Sequence, residues 1–228
     1  HVIGNTRQNL AEVSLELGGK SPLIVFEDAD LESAVNGAVS GIFAAAGQSC
    51  VAGSRLIVHE DVADDVLERL AGIAHAARIG DPMAEETELG PLSTYGQLET
   101  IEREIARAVE EGGRIVCGGQ RAEAGSDMYF QPTIVECPSP DLHIVDTELF
   151  GPVLSVLRFR TEQEALALAN DTVHGLAAGI FTRDSARALR MIRAVRAGIV
   201  WVNTYRAVSP IAPFGGMKQS GLGREGST

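Results

Sequence analysis

A thiol and a carboxylate near the beginning of the chain have the chemistry of a nucleophile and a base. Cys50 lies in residues 47–55, GQSCVAGSR, and Glu16 lies in residues 15–22, LELGGKSP. A thiolate attacks carbonyl carbon, and a carboxylate beside it can take a proton from the thiol or from water. On spacing alone both residues could also be structural. The predicted helix before Cys50 points its C-terminal dipole toward the thiol, which does not favour a thiolate there.

Length and composition are those of an ordinary globular protein. The 228 residues are 45% hydrophobic and 22% charged, which suits one large domain or two small ones. A net charge of −12 argues against nucleic-acid binding, which needs clustered Lys and Arg. The sequence contains neither an apolar run of about 18–20 residues nor a secretory leader, so we expect no membrane partner.

The three cysteines, Cys50, Cys117 and Cys137, are far apart and form no Cys-x-x-Cys pair. This pattern predicts neither a zinc ribbon nor a disulfide framework, and it favours a reducing, cytoplasmic location. We expect Cys117 and Cys137 to be small structural residues. The histidines lack the i, i+4 spacing of a helical metal pair, so no metal site is predicted.

Strands alternate with helices along the chain, and this alternation predicts an α/β fold. The helix that begins at the cap Asp30 is expected to end at Gly47, and Pro132 is expected to make its strand an edge or irregular one. The predicted strands are residues 13–17, 23–26, 55–59, 114–117, 129–136, 152–159, 176–182 and 199–203. The other predicted helices begin near positions 61, 98, 161 and 184.

Five separated segments place the candidate residues in a common context. They are residues 15–22 (LELGGKSP), 47–50 (GQSC), 148–153 (ELFGPV), 198–203 (GIVWVN) and 213–221 (PFGGMKQSG). Their order, and the separation of 34 positions from Glu16 to Cys50, resemble the signatures of the NAD(P)-dependent aldehyde dehydrogenase superfamily. The resemblance implies a three-layer α/β/α catalytic domain with a mostly parallel sheet.

The resemblance also implies a mechanism with a covalent intermediate. Cys50 would attack the aldehyde carbon to form a thiohemiacetal, and hydride transfer to NAD or NADP would leave a thioester. Glu16 would then act as the general base that activates water to hydrolyse this thioester. The backbone N–H of Cys50 and an asparagine of the cofactor domain would stabilise the oxyanions.

Four residues are assigned to the cofactor by the same resemblance. Glu148 would hold the hydroxyls of the nicotinamide ribose, and Phe150 would pack near that ribose or the ring. Leu17 and Gly18, which follow Glu16, would lie beside the nicotinamide. The glycines here are not a phosphate loop, because the Gly-x-x-x-x-Gly-Lys-Ser/Thr pattern is absent.

The resemblance also suggests residues on the substrate side. Phe214, Ser49 and Val51 would line the entrance for the aldehyde, together with the loop 205–210. Arg206 gives this loop one cation, which either selects an acidic or aromatic aldehyde or fixes the loop. The motifs do not distinguish these two roles, and they do not specify which aldehyde is the substrate.

Domain boundaries follow from the resemblance as well. Residues 1–17 would be the tail of a cofactor-binding domain, 18–219 the catalytic domain, and 220–228 the start of a return segment toward the oligomerisation region. Most of the cofactor site would then lie outside this chain, so the chain alone is expected to oxidise no aldehyde. The full-length protein is expected to be a homodimer or homotetramer.

Two other functions remain open at this stage. One is a homologue used for binding or assembly, in which Cys50 is a relic; the intact set of Glu16, Cys50 and Glu148 argues against it. The other is a cofactor-independent thiol esterase that uses Cys50 and Glu16. It would need a base near the thiol, and no histidine is close to Cys50 in the sequence.

Overall fold

A seven-stranded sheet forms the centre of the computed structural model, which describes residues 2–226. The strands are β1 (Leu15–Glu16), β2 (Pro22–Val25), β3 (Arg55–His59), β4 (Arg114–Cys117), β5 (Thr133–Glu136), β6 (Val153–Phe159), β7 (Ala177–Phe181), β8 (Ile199–Val202) and β9 (Gly221–Leu222). The order in the large sheet is β4-β5-β6-β3-β2-β7-β8, and every neighbouring pair is parallel except β4 with β5. The predicted α/β fold with a mostly parallel sheet is confirmed.

Helices cover both faces of this sheet. They are α1 (Val2–Asn5), α2 (Leu31–Ile42), α3 (Glu60–Ala76), α4 (Tyr95–Glu110), α5 (His143–Asp146), α6 (Glu162–Asn170) and α7 (Ser185–Ala194). Apolar side chains of α2 and α3 pack on one face, and those of α4 to α7 pack on the other. The result is the expected three-layer arrangement. Within the described residues, no helix is both long and apolar enough to cross a membrane.

Local sequence explains where several elements begin. The central strands β2 and β7 are apolar throughout, because helices cover both of their faces. Asp30, Thr161 and Asp184 each accept a hydrogen bond from a backbone N–H in the first turn of the helix that follows. Each cap satisfies a donor that has no partner inside the helix, which sets the first residue of α2, α6 and α7.

Two expectations about the elements are wrong. α2 ends at Ile42 instead of Gly47, because Ala45, Ala46 and Gly47 take left-handed φ values of 54°, 51° and 70°. A right-handed helix cannot continue through such residues. β5 is not an edge strand, since it lies between β4 and β6. Pro132 comes just before its first residue, so the proline removes no N–H from the strand.

All the parallel strands begin at one edge of the sheet, which we call the amino edge. The segments that contain Glu16, Cys50 and Glu148 come shortly before β2, β3 and β6, so the topology brings all three to this edge. The helices between parallel strands run back to the same edge, and α2, α6 and α7 therefore end there. Because helix C-termini carry partial negative charge, cations are needed at the amino edge to neutralise it.

A separate two-stranded sheet fixes the position of Glu16. β1 and β9 pair antiparallel, with Leu15 opposite Leu222 and Glu16 opposite Gly221. Residues from far along the chain therefore hold the Glu16 backbone beside the amino edge.

Candidate active site

Three segments meet at the amino edge, and two glycines allow them to approach closely. The N–H of Gly19 donates to Glu148 Oε1 at 3.0 Å. A Cβ atom on Gly18 would overlap Glu148 Oε2, and one on Gly19 would lie 2.5 Å from the carbonyl oxygen of Cys50. A side chain at Gly19 would therefore push apart the segments that carry Glu16 and Cys50, and one at Gly18 would displace the Glu148 carboxylate.

Cys50 differs from the other two cysteines in its surroundings. It is half-buried in a turn before β3, whereas Cys117 and Cys137 are buried. Burial raises the pKa of Cys117 and raises that of Cys137 to about 11, so both are protonated thiols near neutral pH. Across residues 2–226, no acceptor pairs with the backbone N–H of Cys50. This N–H is therefore free to donate to an oxyanion formed next to the Cys50 sulfur.

Tyr205 supports the turn that carries Cys50. Its hydroxyl donates to Val51 O at 2.9 Å, and its ring packs 4.7 Å from that of Trp201, measured between centroids. We expected Tyr205 to line the entrance with the rest of the loop 205–210. This is wrong for Tyr205, which is buried where nearby glycines leave room for its ring. The contact to Val51 joins residues 154 positions apart, so no local pattern in the sequence indicates it.

Gln48 and Gly47 connect the same turn to neighbouring loops. Gln48 Oε1 accepts hydrogen bonds from the N–H and the hydroxyl of Ser93, at 2.9 and 2.6 Å. Its Nε2 donates to Pro91 O at 3.1 Å. Gly47 lies so close to Gly151 that a Cβ atom would overlap the carbonyl oxygen of Gly151. The backbone before Cys50 is therefore anchored on both sides, with left-handed residues immediately upstream.

The carboxylate of Glu16 is buried, and neither of its oxygens accepts a hydrogen bond from the part of the chain that the structure describes. Desolvation raises the pKa of Glu16, the negative charge of Glu225 raises it further, and Arg224 partly opposes both effects. A Cβ atom on Gly215 would lie 3.0 Å from Oε1, so the carboxylate faces the segment that contains Phe214. Glu16 and Cys50 are not hydrogen-bonded to each other.

Ser220 holds the Glu16 segment in place, a role that sequence reasoning missed. Its hydroxyl donates to Gly18 O at 2.7 Å and accepts from Gly175 N at 2.9 Å. Its carbonyl oxygen accepts from Leu17 N at 3.0 Å. This serine belongs to the motif PFGGMKQSG, but the motif alone does not indicate which atoms the serine contacts.

Glu148 offers a carboxylate that could bind sugar hydroxyls, and Phe150 and Leu17 offer exposed apolar side chains that could contact a flat ring. Glu148 Oε2 accepts no hydrogen bond from residues 2–226, and a free carboxylate oxygen can accept from sugar hydroxyls. Phe150 is 42% exposed on a left-handed backbone (φ 54°), and Leu17 is 49% exposed. Exposed apolar side chains next to a free carboxylate match a nicotinamide riboside. The residues present therefore fit the nicotinamide end of a dinucleotide.

The predicted substrate residues differ in exposure. Phe214 is half-buried, and its N–H and C=O pair with those of Glu225 at 2.8 and 2.7 Å. Ser49 is half-buried beside Cys50. Val51 is only 7% exposed and packs in the core that α2 and α3 cover. Phe214 is thus held near Glu16, and Ser49 is adjacent to Cys50.

A buried arginine and a half-buried lysine neutralise the C-terminal end of α6 at the amino edge. Arg55, fully buried, donates to the carbonyl oxygens of Leu168 and Ala169 at 2.9 Å, and also to Lys20 O at 2.8 Å. Lys218 Nζ donates to Asn170 O at 2.9 Å and to the carbonyl of Thr172 at 3.0 Å. The carbonyls of Leu168, Ala169 and Asn170 belong to the last turn of α6, and that of Thr172 follows the helix. Two cations therefore offset the negative end of this helix.

Lys20 is a third cation at this edge, and its burial predicts a pH dependence of stability. It is 1% exposed, and its Nζ has no hydrogen-bond partner among the described residues. Burial and, to a smaller extent, the charge of Arg55 lower the pKa of Lys20 to about 7, against the opposing effects of Cys137, Glu148 and Asp146. In the unfolded chain the pKa of lysine is about 10.4.

Between about pH 7 and pH 10, the folded state therefore binds fewer protons than the unfolded state. We expect the free energy of unfolding to rise by about 2 kcal/mol from pH 7 to pH 9, and we expect the Lys20 contribution to its slope to fade below about pH 6. Urea denaturation at a series of pH values measures this. In Lys20→Met that rise should disappear, and an equal rise in both proteins would contradict the assignment.

The chain matches the model of the aldehyde dehydrogenase family over residues 1–228. It is 53% identical over 227 residues to the (Z)-2-((N-methylformamido)methylene)-5-hydroxybutyrolactone dehydrogenase of Acinetobacter baylyi, covering 99% of this chain and 46% of that protein. It is 48% identical over 218 residues to a betaine aldehyde dehydrogenase of Cereibacter sphaeroides, covering 96% of this chain and 45% of that protein. The chain spans about half the length of the curated relatives it matches.

Solved structures give the same picture. The crystal structure of PnpE from Pseudomonas sp. WBC-3 superposes with a TM-score of 0.95 at 46% identity, covering 98% of this chain and 46% of that one. A structure of PnpE in complex with nicotinamide adenine dinucleotide gives a TM-score of 0.96 at 45% identity, covering 99% of this chain and 47% of that one. The layers and strand order described above are therefore shared with these proteins.

Proposed function

Because the chain belongs to the aldehyde dehydrogenase family, we propose that it is the catalytic portion of an enzyme that oxidises an aldehyde to a carboxylic acid with NAD or NADP. One observation supports this most directly: Cys50, Glu16 and Glu148 lie at the same edge of the sheet. Within residues 2–226, the N–H of Cys50, both carboxylate oxygens of Glu16 and Oε2 of Glu148 have no hydrogen-bond partner. A nucleophile, an oxyanion donor, a base and a sugar-binding group are thus close together.

The chemistry begins at Cys50. Its sulfur would attack the aldehyde carbon, and the N–H of Cys50 would donate to the oxygen that becomes negative. The nicotinamide, when bound, supplies the hydride acceptor. Glu16 would take a proton from water, which then attacks the thioester carbon, releases the acid and returns the thiol. The raised pKa of Glu16 matches this role, since a stronger base accepts the proton more readily.

The cofactor would be held from this chain by Glu148, Phe150, Leu17 and Gly18. Glu148 Oε2 would accept from the ribose hydroxyls, and the exposed side chains of Phe150 and Leu17 would contact the ring. Gly18 leaves room for this contact, because a side chain there would overlap Glu148. The NAD complex of the related PnpE supports a dinucleotide as the cofactor. These residues do not distinguish NAD from NADP.

The aldehyde would enter past Phe214 and Ser49, with Val51 completing the wall beside Cys50. Support comes from the position of Gly215, adjacent to Phe214, next to the Glu16 carboxylate, and from the position of Ser49 adjacent to Cys50 in the turn. Because the Val51 side chain is mostly buried, its contribution to the wall would be small.

We propose the following division of the chain into domains. Residues 1–17 would belong to a cofactor-binding domain, 18–219 to the catalytic domain, and 220–228 to the start of a return segment. We further propose a cytoplasmic homodimer or homotetramer. The free state of all three cysteines supports the reducing compartment. Among residues 2–226, β8 pairs with β7 alone, which leaves its other edge available to a neighbouring subunit.

Comparing the isolated chain with the complete enzyme tests this proposal. The complete enzyme should reduce NAD or NADP when an aldehyde is added, while the isolated 228-residue chain should produce no reduced cofactor. The complete enzyme carrying Cys50→Ala is the control for cofactor reduction that does not involve the thiol. Failure of the complete enzyme with a broad aldehyde panel would overturn the function. Turnover by the isolated chain would overturn the proposal that most of the cofactor site lies outside these 228 residues.

A further inference from the structure

Arg206 brings a guanidinium next to Ser49, the residue before Cys50, and within residues 2–226 it has no carboxylate partner. Its side chain is half-buried; Nη1 donates to Ser40 O at 3.2 Å, and Nη2 lies 3.5 Å from Ser49 Oγ. Both acceptors are neutral. Over residues 2–226, no carboxylate lies within salt-bridge distance of this guanidinium, although most of the other arginines form such pairs.

The backbone around Arg206 is fixed without help from its side chain. On one side, the hydroxyl of Tyr205 donates to Val51 O at 2.9 Å. On the other, the indole N–H of Trp201 donates to Ala207 O at 2.8 Å. Arg206 itself has a left-handed φ of 62°, an unfavourable conformation for a residue with a side chain. Since both neighbours are anchored, holding the loop in place does not require the guanidinium.

A guanidinium has five N–H donors, and its planar fork matches a carboxylate better than it matches isolated neutral oxygens. Arg206 uses two of its nitrogens on neutral oxygens, so its charge is uncompensated. Ser49 is adjacent to Cys50, and consecutive Cα atoms are about 3.8 Å apart. A group that binds Arg206 would therefore lie a short carbon chain away from a carbonyl carbon at the Cys50 sulfur.

We infer that Arg206 is a specificity-determining residue that recognises a carboxylate on the aldehyde substrate. The inference rests on the proposed function, because it takes Cys50 as the reaction centre. The substrate class is then a short-chain aldehyde that also carries a carboxylate, and its oxidation product is a dicarboxylate. Arg206 pairs with the carboxylate that does not react, and this contact orients the aldehyde toward Cys50.

Paired substrates and charge variants in the complete enzyme test this inference. The substrates are a linear aldehyde ending in a carboxylate and the same aldehyde ending in a methyl ester. We expect the wild type to have the higher kcat/KM for the carboxylate. Arg206→Met should lower the ratio of the two kcat/KM values by about 10- to 100-fold, mainly through KM, as for loss of a charge-assisted hydrogen bond. Arg206→Lys, which keeps the charge but not the fork, should lie between.

Two results would overturn the inference while the proposed function stands. One is a wild-type enzyme that oxidises both aldehydes equally well. The other is an Arg206→Met variant that loses activity equally on both substrates, since a residue that only fixes the loop would have this effect. If the wild type oxidises neither these nor any other aldehyde, the proposed function itself fails, and the two failures are distinguishable.

Discussion

Replacement of Cys50 by Ala is expected to lower kcat/KM for aldehyde oxidation in the complete enzyme by about 10⁴-fold or more. The alanine methyl group cannot attack the carbonyl carbon, so neither covalent step takes place. The backbone N–H of residue 50 and the turn anchored by Tyr205 and Gln48 should survive the change, because their contacts use no atom of the thiol. Steady-state production of reduced cofactor measures the effect.

The other two cysteines provide matched controls for this experiment. Cys117→Ala and Cys137→Ala remove buried thiols whose pKa is raised by burial and which lie outside the proposed site. Each should reduce stability modestly, by about 1 kcal/mol, while kcat/KM stays within a few-fold of the wild type. Substantial turnover by the Cys50→Ala enzyme, or a larger loss in either control, would remove Cys50 from its assigned role.

Glu16→Gln is expected to separate the first half of the reaction from the second. Glutamine keeps the shape of the side chain but cannot take a proton from water, so thioester hydrolysis should slow by about 10²- to 10⁴-fold. One equivalent of reduced cofactor per site should form rapidly, followed by a slow steady state. Rapid mixing of enzyme, cofactor and aldehyde measures the burst, and mass spectrometry of the quenched protein detects the acyl group.

The pH dependence gives an independent check on Glu16. In the wild type, thioester hydrolysis should accelerate as pH rises through the pKa of Glu16, which desolvation and Glu225 hold above its ordinary value. The Glu16→Gln enzyme should lack this rise. Glu12→Gln is the matched control, because Glu12 is an exposed carboxylate shortly before β1, and its replacement should leave both the turnover and the pH profile unchanged. A variant that shows no burst and is slow from the first turnover would instead indicate that Glu16 acts before the thioester is formed.

The parts of the structure that the sequence predicts well are those set by neighbouring residues. Asp30, Thr161 and Asp184 cap helices because each reaches an N–H only two or three residues ahead. The continuously apolar β2 and β7 are central strands because helices cover both faces of the sheet. The meeting of the segments around Cys50 and Glu148 was expected from five motifs, although the roles of these residues remain predictions.

The parts that the sequence does not predict depend on distant contacts or on local strain. The apolar spacing of α2 continues to Ala45, so nothing in the pattern indicates the left-handed turn that ends the helix at Ile42. Tyr205 and Ser220 support the site through atoms 154 and 202 residues away in sequence. Pattern analysis considers windows of about 18 residues or fewer and cannot detect such contacts.

The pairing of β1 with β9 has a consequence for how the protein is made. A chain leaves the ribosome N-terminal end first, and contacts between distant residues form late, because closing a long loop costs more entropy than closing a short one. The turn that carries Cys50 is supported by Ser93, Gly151 and Tyr205, which are all synthesised earlier than Ser220 and Gly221. We therefore expect Glu16, although synthesised before Cys50, to take its final position after it, so that during synthesis the proposed nucleophile spends an interval folded without the proposed base.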